Sequence, residues 1–339
     1  MSEPIKIVFW DLDGTLWGGT LEEDADELTI PPGEVREVLL ELDRRGILHS
    51  VISQAASAAA GRRLAEHGLD HLFLRPKYNV VSKAQAIAET LRELNLLPSN
   101  AAFIDDLPFY RGEVQQLLPE VLTLGPEAIP DLPRHPRFAI RSTLGSTRRE
   151  LYRAEEQREQ AELKFAGSRA EFLASCQMVL TCHPVRESDL ARLHELFART
   201  HRLSIRPAGG ETASTDHGLI RKFVAELKDR FGDYGLVAGA AIHITHPEWN
   251  CRQLSISCRV QGRGVVEGFL AWLVKMAAQD DAVLSLTVST ASEVNQPLRT
   301  ALRLAGFAPA DKGPGWERLV PVRPERLGVP EWIRLEERP

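Results

Sequence analysis

Two aspartates stand one residue apart, immediately after an apolar run near the start of the chain. Asp11 and Asp13 follow residues 5–10, which read IKIVFW and predict a buried β-strand. Because side chains alternate along an extended chain, both carboxylates point to the same side. Paired carboxylates suit a hard cation such as Mg²⁺ and a phosphate bound through it. One carboxylate can attack phosphorus to form an aspartyl-phosphate, while the other serves as general acid or base.

Further polar residues fall where a strand pattern ends or a helical pattern begins. Ser53 follows the second apolar strand pattern, and its hydroxyl can bind a phosphate oxygen. Lys83 opens a helical pattern, where its ammonium can neutralise the charge of phosphate and of aspartyl-phosphate. Asp105 and Asp106 follow another apolar strand pattern and can supply the remaining carboxylate ligand of the metal. Together these positions predict a magnesium-dependent phosphotransfer site.

A parallel sheet is the element that places such residues together, because ligands of open α/β sheets bind beyond the carboxyl ends of the strands. Alternating strand and helix patterns predict such a sheet, covered by helices on both faces. The strand patterns lie at residues 5–10, 47–52, 101–105 and 121–124, and the helical patterns include 57–67 and 83–94. We therefore predict an α/β domain of Rossmann-like type over residues 1–130.

A connecting segment is predicted over residues 131–175, because proline interrupts any periodicity at 125–145. Residues 147–164 are highly charged and favour a helix, which we interpret as a solvated linker helix. A second, mixed α/β domain is predicted over 176–339, with strands at 178–182, 235–244, 252–260 and 283–289 and helices at 187–200, 265–278 and 296–305.

A glycine-rich turn in the second domain joins a predicted strand to a predicted helix. It contains the pattern Arg259-x-x-Gly262-x-Gly264, with Arg263 between the glycines. Glycines let backbone N–H groups approach phosphate, and the start of a helix adds positive potential. With the following strand and the helix opened by Asn295, this turn resembles the acetyltransferase (GNAT) fold. The resemblance implies that these five residues bind the phosphate and pantetheine arm of an acyl carrier.

Composition excludes several classes of function. The net charge of −6 argues against a general nucleic-acid binder, which carries a basic face. No apolar run reaches the ~20 residues of a membrane span, and the first residues do not form a signal peptide. The four cysteines follow no metal-ligand spacing. We therefore expect a cytoplasmic protein with reduced thiols.

The order Asp-x-Asp, Ser, Lys and Asp-Asp resembles the haloacid dehalogenase-like superfamily. The resemblance implies a specific role for each residue and Mg²⁺ as the cofactor. Asp11 is the nucleophile, Asp13 the general acid or base, Ser53 and Lys83 the phosphate ligands, and Asp11, the backbone carbonyl of Asp13, and Asp105 or Asp106 the metal ligands.

Longer strings resemble the FkbH-like family of polyketide pathways over about residues 5–310. They are DLDGTLWGG at 11–19, FIDDLPFYR at 103–111, FGDYGLV at 231–237 and SCRVQGRG at 257–264. Members join a dehalogenase-like domain to an acetyltransferase-like domain. The resemblance implies transfer of a glyceryl unit from a phosphorylated three-carbon substrate, 1,3-bisphosphoglycerate, to the phosphopantetheine thiol of an acyl carrier protein, with removal of phosphate.

The chain departs from this family at positions that affect the reaction. Where members commonly have Cys-Ser-Lys-Asn, with the cysteine thought to hold the acyl group, this chain has Ile52 and then Ser-Gln-Ala. Gly14 replaces the usual asparagine. The acyl group then passes directly to the carrier thiol or through Cys258, or the substrate differs. The alternatives are a small-molecule phosphatase with a vestigial second domain and a non-catalytic docking module.

Overall fold

The structure is a computed structural model that describes residues 3–21, 33–139, 142–200, 203–206, 219–291 and 295–338. The chain divides into two compact units, Met1–Arg153 and Ala154–Pro339. No helix among the described residues is long and apolar enough to cross a bilayer. None of the four cysteines, all of which are described, forms a disulfide.

The first unit contains a four-stranded parallel sheet in the order β2-β1-β3-β4, which confirms the predicted α/β architecture. The strands are β1 Ile7–Trp10, β2 Leu48–Val51, β3 Ala101–Ile104 and β4 Leu122–Leu124. The helices are α1 Gly33–Arg44, α2 Ser57–Glu66, α3 Lys83–Glu93 and α4 Pro108–Leu117.

Alternation along β1 divides the apolar core of this unit into two clusters. Val8 and Trp10 lie in one cluster with Leu39 of α1, while Ile7 and Phe9 lie in the other. Since strands of a parallel sheet are buried on both faces, they are apolar at every position rather than at alternate ones. The continuous apolar run before Asp11 follows from this packing.

Helix α5, Thr147–Leu163, corresponds to the charged segment that we expected to be a solvated linker. The helix is present, but the expectation that it is solvated is wrong. Arg158 is 6% exposed and pairs with Glu155 and Glu162 along the helix. Arg148 is also buried and donates to the carbonyl of Gly46. Ion pairs at helical spacing and carbonyl acceptors allow a charged run to be buried.

The second unit contains a mixed nine-stranded sheet in the order β11-β12-β10-β9-β8-β7-β5-β13, with β6 paired to β9. The strands are β5 Met178–Pro184, β6 Ser204–Ile205, β7 Leu219–Asp229, β8 Gly232–Thr245, β9 Glu248–Ile256, β10 Val283–Ser289, β11 Phe307–Gly313, β12 Trp316–Pro321 and β13 Ile333–Glu337. The helices are α6 Arg169–Ser175, α7 Leu190–Arg199, α8 Val265–Gln279 and α9 Gln296–Leu304.

The predicted elements of the second unit are mostly present, with two differences. Strand β9 ends at Ile256, and residues Cys258–Val260 form a 3₁₀ turn rather than the end of a strand. Strands β6, β7, β11, β12 and β13 lie where no strand was predicted. In β7 and β13, charged side chains interrupt the apolar alternation, which hides the period-2 signal.

Candidate functional site

The carboxyl ends of β1 and β3 bring the first aspartate pair beside the second. The backbone N–H of Asp11 donates to the carbonyl of Ile104 at 3.0 Å, so the parallel pairing continues one residue beyond β1. Asp105 follows Ile104 directly and is fully buried, and Asp11 is nearly so. The strand register therefore explains why residues far apart in sequence meet at one sheet edge.

Lys83 connects the two strand ends. Its Nζ lies 2.8 Å from Oδ1 of Asp11 and 2.5 Å from Oδ2 of Asp105. The side chain is only 3% exposed. It is the first residue of α3, and the hydroxyl of Ser82 before it accepts a hydrogen bond from the N–H of Gln85. This N-cap fixes the helix start and hence the direction in which the lysine leaves it.

Burial and neighbouring charges shift the pKa values of Asp11 and Lys83. Burial raises the pKa of Asp11 to about 6, although Lys83 pulls in the opposite direction. Burial acts to lower the pKa of Lys83, but the charge of Asp11 and the bonds to Asp105 outweigh it and raise the pKa above its usual value. The lysine is therefore an ammonium at neutral pH. A nearby cation would favour the carboxylate form of Asp11.

Asp11, Asp105 and Asp106 form a group that fits a metal ion. Each offers a carboxylate oxygen, and these oxygens lie within 4.8 Å of one another. Burial and the charge of Asp105 raise the pKa of Asp106, as expected where carboxylates lie close together. An all-oxygen set of this charge suits Mg²⁺. The sequence left open whether Asp105 or Asp106 is the ligand, and the geometry brings both into the group.

Two residues that sequence reasoning did not select hold the Asp105–Asp106 segment in place. Arg111 of α4 donates from Nη1 to the backbone carbonyls of Asp105 and Asp106, at 2.6 and 2.8 Å. The N–H of Asp106 donates to the hydroxyl of Thr15 at 3.0 Å. Both residues lie inside the strings that resemble the FkbH-like family. Their place in those strings is the sequence signal that could have identified them.

Asp13 is half-buried and its side chain lies outside the group of three carboxylates. Its Oδ1 accepts from the indole N–H of Trp17 at 2.7 Å and from the N–H of Leu21 at 3.2 Å. These bonds orient the Asp13 carboxylate. Its role as general acid or base and metal ligation by its backbone carbonyl both stay predictions.

Ser53 follows β2 and is almost fully buried. The N–H of the preceding Ile52 donates to the carbonyl of Trp10 at 2.9 Å, which keeps the end of β2 beside the end of β1. The Ser53 hydroxyl accepts from the N–H of Ala55 at 3.1 Å, so it shapes the turn after the strand. Its role as a phosphate ligand stays a prediction.

Gly14 has a left-handed backbone, with φ of +69°, and a Cβ there would lie 2.6 Å from Oδ2 of Asp106. We expect Gly14→Ala to weaken Mg²⁺ binding about tenfold or more, because the added methyl group would displace the Asp106 carboxylate from the metal group. Calorimetric titration of the metal-free protein with Mg²⁺ measures this.

Gly68→Ala is the matched control, because its φ is +61° but nothing lies within 4 Å of the added Cβ. It should leave Mg²⁺ affinity unchanged. Wild-type affinity in Gly14→Ala would contradict the assignment of Asp106 to the metal group.

The second predicted site is arranged differently from the expectation. Arg263, expected to hold a phosphate, is 1% exposed and pairs with Glu155 and with Asp229, the latter at 3.6 Å. Its guanidinium also lies 4.6 Å from the centre of the Tyr234 ring. Its predicted role as a pantetheine ligand is corrected, because these groups hold it inside the unit.

The glycines of the turn contact residues of their own unit. Gly262 offers its carbonyl to Arg169 Nη2 at 3.3 Å. Gly264, with φ of +88°, allows Pro330 to pack at a spot where a Cβ would lie 2.8 Å from the proline Cγ. Trp332 donates from its indole to the carbonyl of Arg263 at 2.9 Å. The described residues thus use this turn to join α6, α8 and the segment before β13.

Two of the remaining residues predicted in the second unit lie in the 3₁₀ turn Cys258–Val260, and the third lies directly before α9. Arg259 donates to the hydroxyl of Ser257 at 3.3 Å. Cys258 is half-buried in the 3₁₀ turn. Asn295 lies directly before α9 and makes no side-chain capping bond to it. Roles for Arg259 and Asn295 in binding pantetheine stay predictions.

The end of β9 is hydrogen-bonded on both sides. β9 pairs in parallel with β10 only from Glu248 to Cys251. Beyond that, β6 pairs with Ser255 and Leu254, while β8 occupies the other side. An acyl or pantetheine chain therefore cannot add alongside this part of β9 without displacing β6.

Comparison with solved structures finds partial similarity to several bacterial proteins. The N-terminal part of BF1531 from Bacteroides fragilis, which contains a phosphatase domain complexed with Mg, is 27% identical, with 42% of each chain covered and a TM-score of 0.36. A cobalt-bound deoxy-D-mannose-octulosonate 8-phosphate phosphatase from Haemophilus influenzae is 26% identical, with 30% of this chain and 58% of that chain covered and a TM-score of 0.25.

A hydrolase of the HAD superfamily from Geobacter sulfurreducens is 16% identical, covering 36% of this chain and 89% of that chain with a TM-score of 0.30. The first two structures are each matched over less than two thirds of their own length. No family model matches the chain, and no curated protein matches it.

Proposed function

We propose that the first unit is a magnesium-dependent phosphatase of the haloacid dehalogenase type that works through Asp11. The observation that supports this most directly is the contact of Lys83 with both Asp11 and Asp105 beside a three-carboxylate group. Lys83 supplies positive charge where a phosphoryl group would accumulate negative charge. A bound Mg²⁺ would add Lewis-acid stabilisation of the same charge.

The reaction has two steps. A carboxylate oxygen of Asp11 bonds to phosphorus as the bond from phosphorus to the leaving oxygen breaks, and Asp13 gives that oxygen a proton. Water then attacks the aspartyl-phosphate and loses a proton to Asp13, which releases phosphate and restores both carboxyl groups. The bonds from Trp17 and Leu21 hold Asp13 in one orientation for both proton transfers.

The test uses the full chain with para-nitrophenyl phosphate and with acetyl phosphate. Phosphate release should require Mg²⁺, stop when EDTA is added and return when Mg²⁺ is supplied in excess. Release that continues unchanged in EDTA would contradict the proposal. Failure to release phosphate from either compound, together with failure to bind Mg²⁺, would favour the docking-module alternative.

A second candidate is the finer reaction suggested by the FkbH-like strings: glyceryl transfer from 1,3-bisphosphoglycerate to an acyl carrier protein. It is supported by the combination of a phosphate site with a second unit in which β9, α8 and β10 follow one another with β9 and β10 parallel. Intact-mass measurement of candidate carrier proteins, incubated with the enzyme, Mg²⁺ and enzymatically generated 1,3-bisphosphoglycerate, tests it. Phosphate release without carrier loading would contradict glyceryl transfer and support the phosphatase function.

In the glyceryl-transfer reaction, the acyl group passes directly to the carrier thiol. Ile52 is fully buried in an apolar cluster and has no thiol, so position 52 cannot hold a thioester. An acyl phosphate is already activated, and a thiolate can attack it without an enzyme intermediate. We predict that Cys258→Ala loads the carrier as the wild type does, measured by intact mass.

Cys251→Ala is a suitable companion, because Cys251 is a buried cysteine of the same unit, and burial raises the pKa of its thiol to about 12. It controls for the loss of a thiol as such. Transfer through Cys258 would be established instead if Cys258→Ala alone lost carrier loading and an acyl label mapped to Cys258 in the wild type.

A further inference from the structure

Helix α4 places an aromatic ring over the buried lysine of the proposed phosphatase site. The Nζ of Lys83 lies 4.3 Å from the centre of the Tyr110 ring, compared with 5.9 Å from that of Phe103. At 4.3 Å an ammonium is attracted to the negative face of the ring. Lys83 is thus held by two carboxylates and by an aromatic face.

The Tyr110 ring is itself fixed from a different loop. Its hydroxyl donates to Oε1 of Gln54 at 2.7 Å. Gln54 directly follows Ser53 in the turn after β2. The pair therefore links the first turn of α4 to the loop that carries the predicted phosphate-binding serine.

A second contact from α4 reaches the start of α3. Ser82 donates its hydroxyl hydrogen to Oε1 of Glu113 at 2.5 Å while its oxygen accepts from the N–H of Gln85 at 3.2 Å. Ser82 is the N-cap of α3, and Lys83 is the next residue. Tyr110 and Glu113 lie three residues apart and so share one face of α4. One helix face thus fixes both the backbone and the ammonium of Lys83.

The chemistry of an ammonium makes the ring contact useful. Lys83 has three N–H donors, and Asp11 and Asp105 accept from two of them. The face of an aromatic ring attracts the rest of the ammonium charge, but it is only a weak acceptor for the third N–H. A phosphate oxygen that forms a charge-assisted hydrogen bond can replace this weaker contact.

We propose that Tyr110, anchored by Gln54, is a positioning residue that holds the Lys83 ammonium ready for the phosphoryl group. The inference rests on the proposed phosphatase function and adds Tyr110 and Gln54 to the aspartates, serine and lysine that the sequence predicted for this site. Tyr110 acts through the lysine and does not take part in bond making.

The test compares Tyr110→Leu, which removes the ring, with Tyr110→Phe, which keeps the ring and removes the hydroxyl. The first measurement is calorimetric binding of inorganic phosphate in the presence of Mg²⁺. We expect Tyr110→Leu to weaken phosphate binding about tenfold, which corresponds to ~1.4 kcal/mol. Tyr110→Phe should restore most of this affinity. Leu117→Ala is the control on the same helix, because Leu117 is 60% exposed.

The second measurement does not depend on activity. Acetic anhydride is added to each protein, and acetylation of Lys83 is followed by peptide mass spectrometry. Lys83 should react faster in Tyr110→Leu than in the wild type or in Leu117→Ala. Equal phosphate affinity and equal acetylation in Tyr110→Leu and wild type would overturn the positioning role. If acetylation changes as expected but the wild type releases no phosphate, the positioning role stands and the phosphatase proposal fails.

Discussion

Asp11→Asn is expected to abolish phosphate release while the protein stays folded. Asparagine keeps the shape of the side chain and an oxygen that can accept from Lys83, but it loses the negative charge and the nucleophilic oxygen. Loss of an essential catalytic group lowers rates by orders of magnitude, and we expect at least about a thousandfold here. Burial already raises the pKa of Asp11 to about 6, so a neutral side chain is compatible with this environment.

The measurement is phosphate release from acetyl phosphate at saturating Mg²⁺, with circular dichroism to confirm that both variants are folded. Asp131→Asn is the matched control, because Asp131 is a surface residue whose side chain is 76% exposed. Its activity should equal that of the wild type. If Asp11→Asn retains near wild-type activity, the aspartyl-phosphate pathway is wrong.

Much of the first site could be predicted because its signals are local. Apolar runs followed by Asp11, Ser53 or Asp105 mark strand ends, and a parallel sheet places all its carboxyl ends on one edge. The contact between Lys83 and Asp105 could not be read from the same pattern. It depends on where α3 begins relative to β3, which the N-cap at Ser82 and the packing of α4 determine.

Tyr110 shows the limit of this reasoning at the same site. It lies within a string that suggested a family, but an aromatic residue in the first turn of a helix has many ordinary packing roles. Only the three-dimensional arrangement shows that its ring faces Lys83 and that its hydroxyl reaches Gln54. Contacts between residues from different loops leave no periodic signal in the sequence.

The glycine-rich turn of the second unit shows why a motif can be present while its residues do something else. Arg263 stands between two glycines before a helix, which is the pattern of a phosphate-binding turn. Its actual partners, Glu155 and Asp229, come from α5 and from the end of β7. We predicted the first of these elements as a solvated helix and did not predict the second. Without those elements, no internal acceptor for the arginine could be identified.

Arg263→Ala is expected to destabilise the second unit by about 3 kcal/mol, because removal of one partner from a buried ion pair leaves the other carboxylate uncompensated. Burial lowers the pKa of Arg263 to about 9, so it is charged at neutral pH. Asp229 would lose this charge while its Oδ1 still accepts from the N–H groups of Phe231 and Gly232. Glu155 would keep Arg158 at 2.8 Å, which places the cost at the lower end of the range for such pairs.

Hydrogen exchange of peptides from β7 and β8 measures this effect within the second unit, since local opening reports local stability. Protection should fall by about a hundredfold in Arg263→Ala. Arg334→Ala is the control, because Arg334 is 71% exposed and pairs with the nearby Glu336. If instead Arg263 grips a pantetheine phosphate, the variant should keep wild-type protection and lose affinity for coenzyme A in a calorimetric titration. That pair of results would restore the role that the sequence suggested.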